Sequence, residues 1–293
     1  MKIGIVPNVI IGNIAETVSV FVNKLKKNNL DYAVCNSISE QSGAFSSDFD
    51  NSCLCTIENV CMQSDIIISF GGDGTLLSAA YYAQLYDKPI LGVNFGKLGF
   101  LAEIDINQMD LFIEELKNNS YTIEERMIIE GESPELPGEK MFAVNDFVIE
   151  KGAWSKMIQM NVNVNGEYVA TFSADGLIVA TPTGTTGYSL SAGGPIVNPK
   201  CDVIVLSPVS PHTLTMRPLV LPADSEILIQ AESIYKEVQI NCDGQRVFPA
   251  APPMNVKIRK SKNRLKLVHV TSQRYFAILR NKLLWGLDVR KRS

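Results

Sequence analysis

Histidine is nearly missing from this 293-residue chain. There are two, His212 and His269, which argues against a His-rich metal site or a mechanism run by a pair of imidazoles. The six cysteines, at 35, 53, 55, 61, 201 and 242, form no C-x-x-C pair, and Cys53-x-Cys55 is not a zinc-knuckle spacing. They read as reduced cytoplasmic thiols, partly in the core. No apolar run approaches the ~18 residues of a membrane-spanning helix. The stretch Met1–Asn8 is broken by Pro7 and Asn8 and lacks a small-x-small cleavage site, so a first buried strand is expected there rather than a signal segment. Basic charge is not in excess. The net charge is −4, which argues against a dedicated nucleic-acid binder, and the Arg290-Lys291-Arg292 tail is too short to make a patch. Two phosphate motifs are also missing: the Walker A pattern G-x-x-x-x-G-K-[ST] and the dinucleotide fingerprint G-x-G-x-x-G.

What is present is ordinary globular composition, 46% apolar and 20% charged, in a chain long enough for about two domains without a disulfide or metal staple. The first third alternates strand and helix. Ile3–Val6, Tyr32–Cys35, Asp65–Phe70 and Ile90–Val93 are strand candidates, while 14–28, 75–85 and 107–118 carry helical spacing. The Ser/Asp-rich stretch 36–52 is expected to be a loop. This pattern predicts a Rossmann-like α/β domain with a parallel sheet over 1–120.

From about 121 to 270 short β candidates follow one another, Met141–Ile149 read as one of them. Turns are expected at Pro137-Gly138, Asn165-Gly166, Asp243-Gly244 and Lys262-Asn263. A mainly β, sandwich-like second domain is predicted there. The helical end at Tyr275–Trp285 is expected to join residues 271–293 to the first domain.

The 20 glycines are average in number but clustered, ten of them in windows 71–74, 92–99 and 184–194. In the first, a buried strand runs into Gly71-Gly72-Asp73-Gly74-Thr75 and then a helix. That order puts backbone N–H groups and a helix N-terminus where an anion can approach closely. Asp73 within such a nest suits a group that holds Mg²⁺ or takes a proton from an attacking hydroxyl; a tight turn with Asp73 as a helix cap is the plainer alternative. The second window, Gly92 to Phe100, also follows a strand, and Phe100 is placed to wall a base pocket. The third, Thr181 to Pro195, is rich in hydroxyls. Thr185 or Thr186 is expected to cap a short helix, and Tyr188 to stack on a ring. Lys97 and Arg217 are phosphate-partner candidates, against surface solvation for Lys97 and a structural ion pair for Arg217. His212 reads as structural.

Gly71-Gly72-Asp73-Gly74-Thr75, Asn145-Asp146, Ser173-Ala174-Asp175-Gly176, Thr181–Pro195, Ser210–Leu214 with Arg217–Val220, and Asp243-Gly244-Gln245 occur in this order and spacing in the NAD kinases. The chain resembles that family over roughly 65–245. The resemblance implies a phosphofructokinase-like parallel sheet in the first domain. It also implies transfer of the γ-phosphoryl of ATP, or in some members polyphosphate, to the 2′-hydroxyl of the adenosine ribose of NAD, giving NADP, with Mg²⁺ or another divalent metal.

By motif position Asp73 and Asp243 are the catalytic carboxylates, each a candidate for the base. Gly71, Gly72, Gly74 and Thr75 face phosphates, and Asn145 and Asp146 contact adenosine. Many relatives carry Glu at position 146 and Ala at position 187. Phe100, Thr183 and Thr186 line the adenine side, and Asp175, Gly187, Tyr188 and Ser191 lie toward the nicotinamide. No dedicated metal ligand set is implied. A cytoplasmic homo-oligomer, dimer or tetramer, without membrane or nucleic-acid partners is expected. The GGDGT turn alone also occurs in sugar and lipid kinases, and a non-catalytic dinucleotide sensor is the alternative from another class.

Overall fold

The computed structural model describes residues 1–41, 50–95, 99–102, 104–269 and 275–286. The chain divides into two compact units, Met1–Glu125 with Leu265–Ser293, and Arg126–Arg264.

Unit 1 runs β1 (Lys2–Pro7), α1 (Ile14–Lys27), β2 (Asp31–Cys35), α2 (Ser37–Gln41), β3 (Leu54–Cys55), α3 (Ile57–Gln63), β4 (Ile66–Phe70), α4 (Asp73–Leu85), β5 (Ile90–Asn94), β6 (Ile104–Asp105) and α5 (Met109–Asn118). The strands pair in parallel in the order β3-β2-β1-β4-β5-β6. Their continuous apolar runs are buried because helices cover a parallel sheet. α1 turns Val18, Phe21, Val22 and Leu25 inward, and Phe21 meets Phe70 of β4 edge-on at 5.2 Å.

Strand order reverses between β1 and β4, and crevices for ligands open beyond the carboxyl ends of strands at such a switch point. The GGDGT turn begins there, directly after Phe70. The Asn8 N–H donates to the Phe70 carbonyl at 2.8 Å, tying the two strand ends together.

Unit 2 is built from β7 (Thr122–Glu132, entering from unit 1), β8 (Met141–Ala143), β9 (Asp146–Glu150), β10 (Ile158–Val164), β11 (Glu167–Ala174), β12 (Gly176–Ala180), α6 (Tyr188–Ser191), β13 (Val203–Val209), β14 (Leu219–Pro222), β15 (Ile227–Glu232), β16 (Val238–Cys242), β17 (Arg246–Ala250) and most of β18 (Met254–His269). One antiparallel sheet has the order β14-β13-β12-β9-β16-β17. The remaining strands run β11-β10-β15-β18, with β7 on β18 and β8 on β7. Phe147, Ile149, Leu177, Val179 and Ile240 from the first set meet Ile129, Met160, Ile229, Val256 and Ile258 from the second in a single core, a sandwich packing. The end of β18 returns to unit 1, where Leu267 pairs with Ile90. α7 (Tyr275–Leu283) follows in that unit.

Several local expectations are corrected. The 36–52 stretch is not all loop: α2 forms because buried Ile38 draws one helical turn onto the core, and Asn51–Cys53 is a 3₁₀ turn. Met141–Ile149 is two strands in different sheets, broken at Val144-Asn145. Lys262-Asn263 makes no turn; β18 runs through it, with Met254, Val256 and Ile258 buried in alternation before it and, after a one-residue shift, Ser261, Leu265 and Leu267 buried around and beyond it. The sequence pattern does not announce β3, α3, β6, β14 or β17. Asn165-Gly166 does close the β10–β11 hairpin, with φ of 53° and 80°.

Candidate active site

In unit 1 the site forms where β4 ends. Gly71 must lack a side chain, since a Cβ there would lie 2.4 Å from Thr75 Oγ1 and 3.0 Å from Asn8 Cβ. A Cβ on Gly72 would meet only open space. α4 starts at Asp73 with Gly72 as its N-cap, and no side chain caps it. Asp73 is therefore not the helix cap. Its carboxylate instead accepts three N–H groups from the following loop: Phe100 on Oδ2 at 2.9 Å, Leu101 and Ala102 on Oδ1 at 3.0 and 2.9 Å. Gly99 makes room, because a Cβ there would sit 2.0 Å from Asp73 Oδ1. The first and second glycine windows thus meet at one carboxylate. Lys282 of α7, which sequence reasoning missed, places its ammonium 3.4 Å from Asp73 Oδ2 and 4.6 Å from the Phe100 ring centre. A lysine near the end of a helix reads as a solvated charge, so no pattern pointed to it. Lys97 and Gly96 lie outside the described residues, as does the Arg290–Arg292 tail.

In unit 2 the site forms where the chain crosses between sheets at Val144-Asn145. Asp243 stands in the β16–β17 turn at φ 58°, followed by Gly244 at 66°. Its carboxylate accepts the N–H groups of Val144 (3.1 Å), Asn145 (2.7 Å) and Asp146 (3.3 Å), with Arg246 Nη2 at 3.5 Å. The Asp243 N–H returns to the Asp146 carbonyl. Arg246, three residues on, also donates to the Phe142 carbonyl; the Asp-x-x-Arg spacing was a signal available and unread.

The threonine loop docks on the same corner. Thr181 gives its N–H to the Asn145 carbonyl and its hydroxyl to the Val144 carbonyl. Gly184 lies so close to the Asn145 carbonyl that a Cβ would come within 2.1 Å of it. Thr185 and Thr186 are not caps of α6. They donate to the Pro182 and Thr183 carbonyls, and the Thr185 hydroxyl accepts the Val197 N–H.

A cleft of about 240 Å³ opens here, lined by Asn145, Asp146, Glu150, Tyr188, Asn241 and Asp243 among others. Asn145 Oδ1, Asn241 Oδ1 and Thr183 Oγ1 are buried without a hydrogen-bond partner. Buried polar atoms are seldom left so unless a water or ligand meets them. Tyr188 and Ser191 are exposed on α6, Gly187 is exposed beside them, and Asp175 is ion-paired with Lys151 at 2.6 Å. Arg217 makes no structural ion pair among the described residues; it donates to the Leu214 and Met216 carbonyls. His212 is exposed, its N–H on the Ser173 carbonyl.

The two carboxyls of the cleft differ. Burial raises Asp243, while its backbone donors and Arg246 oppose that rise. The Asp146 carboxyl accepts no hydrogen bond among the described residues; burial first and the Asp243 charge second push it up to about 7. Asp146 is the carboxyl that carries a proton near neutrality. The folded state then binds a proton that the unfolded chain releases near 3.8, so this group's contribution to stability is present below about pH 4 and is lost as pH rises to about 7. Asp146→Asn is expected to melt with the wild type at pH 4 and above it at pH 8. The gap is at most ~4 kcal/mol. Melting points that stay parallel from pH 4 to 8 would remove Asp146 from this role.

The ATP-NAD kinase N-terminal domain family matches residues 4–121 and the ATP-NAD kinase C-terminal domain family matches 144–270. A NAD kinase of Chlorobium phaeobacteroides is 39% identical over 289 residues, covering 98% of both chains.

The chain belongs to the NAD kinase family.

A NAD kinase of Citrifermentans bemidjiense is 44% identical over 231 residues, 78% of this chain and 80% of that one. Two solved structures share the fold at 23% identity. Yeast NADH kinase complexed with NADH aligns at a TM-score of 0.85 over 100% of this chain and 90% of its own. An NAD kinase from Archaeoglobus fulgidus in complex with ATP aligns at 0.72 over 96% and 99%. In NAD kinase terms, unit 1 carries the GGDGT turn with Asp73, and unit 2 carries the Asn145-Asp146 pair, the threonine loop and Asp243. Among the described residues no helix is long and apolar enough to cross a membrane.

Proposed function

We propose that the two sites divide the work of one phosphoryl transfer from ATP to the 2′-hydroxyl of the adenosine ribose of NAD, giving NADP. The activity follows from the family. The observation that carries the division is that each unit pins one aspartate with three backbone N–H groups, Asp73 at the start of α4 and Asp243 beside the cleft.

The turn Gly71–Thr75 offers backbone N–H groups and the positive end of α4 to the phosphates of the donor. Asp73, partly exposed, receives the proton of the attacking hydroxyl. Asp243 is 3% exposed in its side chain and holds the corner at 144–146, so it is the positioning group of the pair. Asn145 and Asp146 receive adenosine, their case supported by the unmet Asn145 Oδ1 and the protonated Asp146 carboxyl. Phe100, Thr183 and Thr186 serve the adenine side. Asp175, Gly187, Tyr188 and Ser191 serve the nicotinamide side, where exposed Tyr188 has the face for stacking. No cluster of three acidic, His or Cys ligands occurs among the described residues. Asp73 is the carboxylate that would hold magnesium brought in with the ATP phosphates, and the metal would supply neutralisation of the charge that develops during transfer.

A cytoplasmic homo-oligomer is part of this reading. The free cysteines suit a reducing compartment, and the exposed Leu219 and Val220 on edge strand β14 suit a subunit contact. Purified protein with MgATP and NAD is expected to form NADP, read by an NADP-specific dehydrogenase, with polyphosphate and NADH run as alternative donor and acceptor. Phosphorylation of a sugar or diacylglycerol with no NADP would sink this function.

A further inference from the structure

The GGDGT turn has an electrostatic shortfall. A phosphoryl donor arrives with several negative charges, yet the ionised side chain inside the turn is Asp73, also negative. The N-terminus of α4 offers only about half a positive charge. Lys282 supplies a full one. It comes from α7, far along the chain, and its position is set by packing. Ile278 and Leu279 are buried, and Lys282 lies four and three residues beyond them on the same helix face.

Its present contacts are loose. The ammonium sits at 3.4 Å from Asp73 Oδ2, near the outer limit of a hydrogen bond, and both side chains are 27% exposed. Asp73 does not depend on it, since three backbone N–H groups at 2.9–3.0 Å already serve the carboxylate. The ammonium's other contact is the face of the Phe100 ring, 4.6 Å from the ring centre, a cation–π contact that leaves its hydrogen-bond donors available. An ammonium with three donors, held beside an anion-binding turn and weakly engaged, is placed to take phosphate oxygens.

We propose that Lys282 is a ligand of the donor's terminal phosphates, leaving Asp73 for the triphosphate when ATP binds. This rests on the reading of the chain as an ATP-dependent kinase, but its test does not require turnover. Equilibrium binding of the magnesium complex of the non-hydrolysable analogue AMP-PNP, and separately of adenosine, is measured for wild type, Lys282→Met, Lys282→Gln and Lys282→Arg. Lys282→Met and Lys282→Gln are expected to weaken AMP-PNP about 10-fold or more, the range of a lost charge-assisted hydrogen bond, with adenosine unchanged within twofold. Lys282→Arg is expected to recover most of the loss. In steady state, KM for ATP rises while KM for NAD holds.

Equal weakening of AMP-PNP and adenosine would assign Lys282 to packing on Phe100 and overturn the proposal; so would AMP-PNP binding unchanged in both neutral variants. Should Lys282→Met fail to fold, the Gln and Arg variants carry the same comparison. Lys282-dependent AMP-PNP binding in a protein that makes no NADP would reject the assigned reaction and keep the phosphate ligand. Normal NADP formation with AMP-PNP binding indifferent to Lys282 would do the reverse.

Discussion

Asp73→Asn is expected to lower kcat by at least ~10²-fold, the scale of a positioned acid–base group. The amide keeps one oxygen for the Leu101 and Ala102 N–H groups. It then presents an NH₂ to the Phe100 N–H and to Lys282, where Oδ2 accepted both. Two losses coincide: the proton acceptor disappears, and one of the three ties that order residues 100–102 becomes a donor–donor clash. A split between kcat and KM separates them. Loss of the base alone lowers kcat with KM for ATP held, whereas a loosened loop raises KM as well. Wild-type turnover in Asp73→Asn would exclude Asp73 from the chemistry and return Asp243 to the role of base.

Asp243→Ala is expected to act on stability before it acts on chemistry. The substitution strands the N–H groups of Val144, Asn145 and Asp146 and leaves the Arg246 guanidinium without its carboxylate. Breaking a buried charged pair costs about 3–5 kcal/mol. At roughly 2–4 °C per kcal/mol in a protein of this size, the melting temperature falls by about 10 °C. The variant also removes the like charge facing Asp146, so the Asp146 carboxyl titrates lower and the stability loss between pH 4 and 7 narrows. A melting temperature within 2 °C of wild type would show that the 144–146 corner stands without Asp243.

Much of the chain's plan was legible from residue order alone. Continuous apolar runs at β1, β4 and β5 announce strands buried on both faces, and the three- and four-residue spacing of Val18, Phe21, Val22 and Leu25 announces α1. Asn165-Gly166 announces a hairpin, because those two residues tolerate the left-handed backbone it requires. Glycines after a buried strand announce a tight turn, and at Gly71 a side chain has no room. Illegible elements share one cause: local pattern does not report what a residue meets across the fold. Met141–Ile149 is one apolar run by composition, yet it breaks at Val144-Asn145 because the turn at Asp243, about a hundred residues away, captures three successive N–H groups there. Lys262-Asn263 has turn composition, yet the buried alternation on either side keeps it extended.

The sequence by itself determined the two architectures and the glycine turn after β4, because periodicity and glycine placement are local properties. Only the tertiary structure decided what the aspartates do at rest. Asp73 and Asp243 are each held by three backbone N–H groups contributed by distant residues, and Asp146, with no donor, is left to hold a proton. It also decided that Lys282, an unremarkable helix lysine by sequence, stands beside Asp73 at the GGDGT turn. Charge and hydrogen bonding act through space over a few ångströms, and which residues come that close is set by packing rather than by position along the chain.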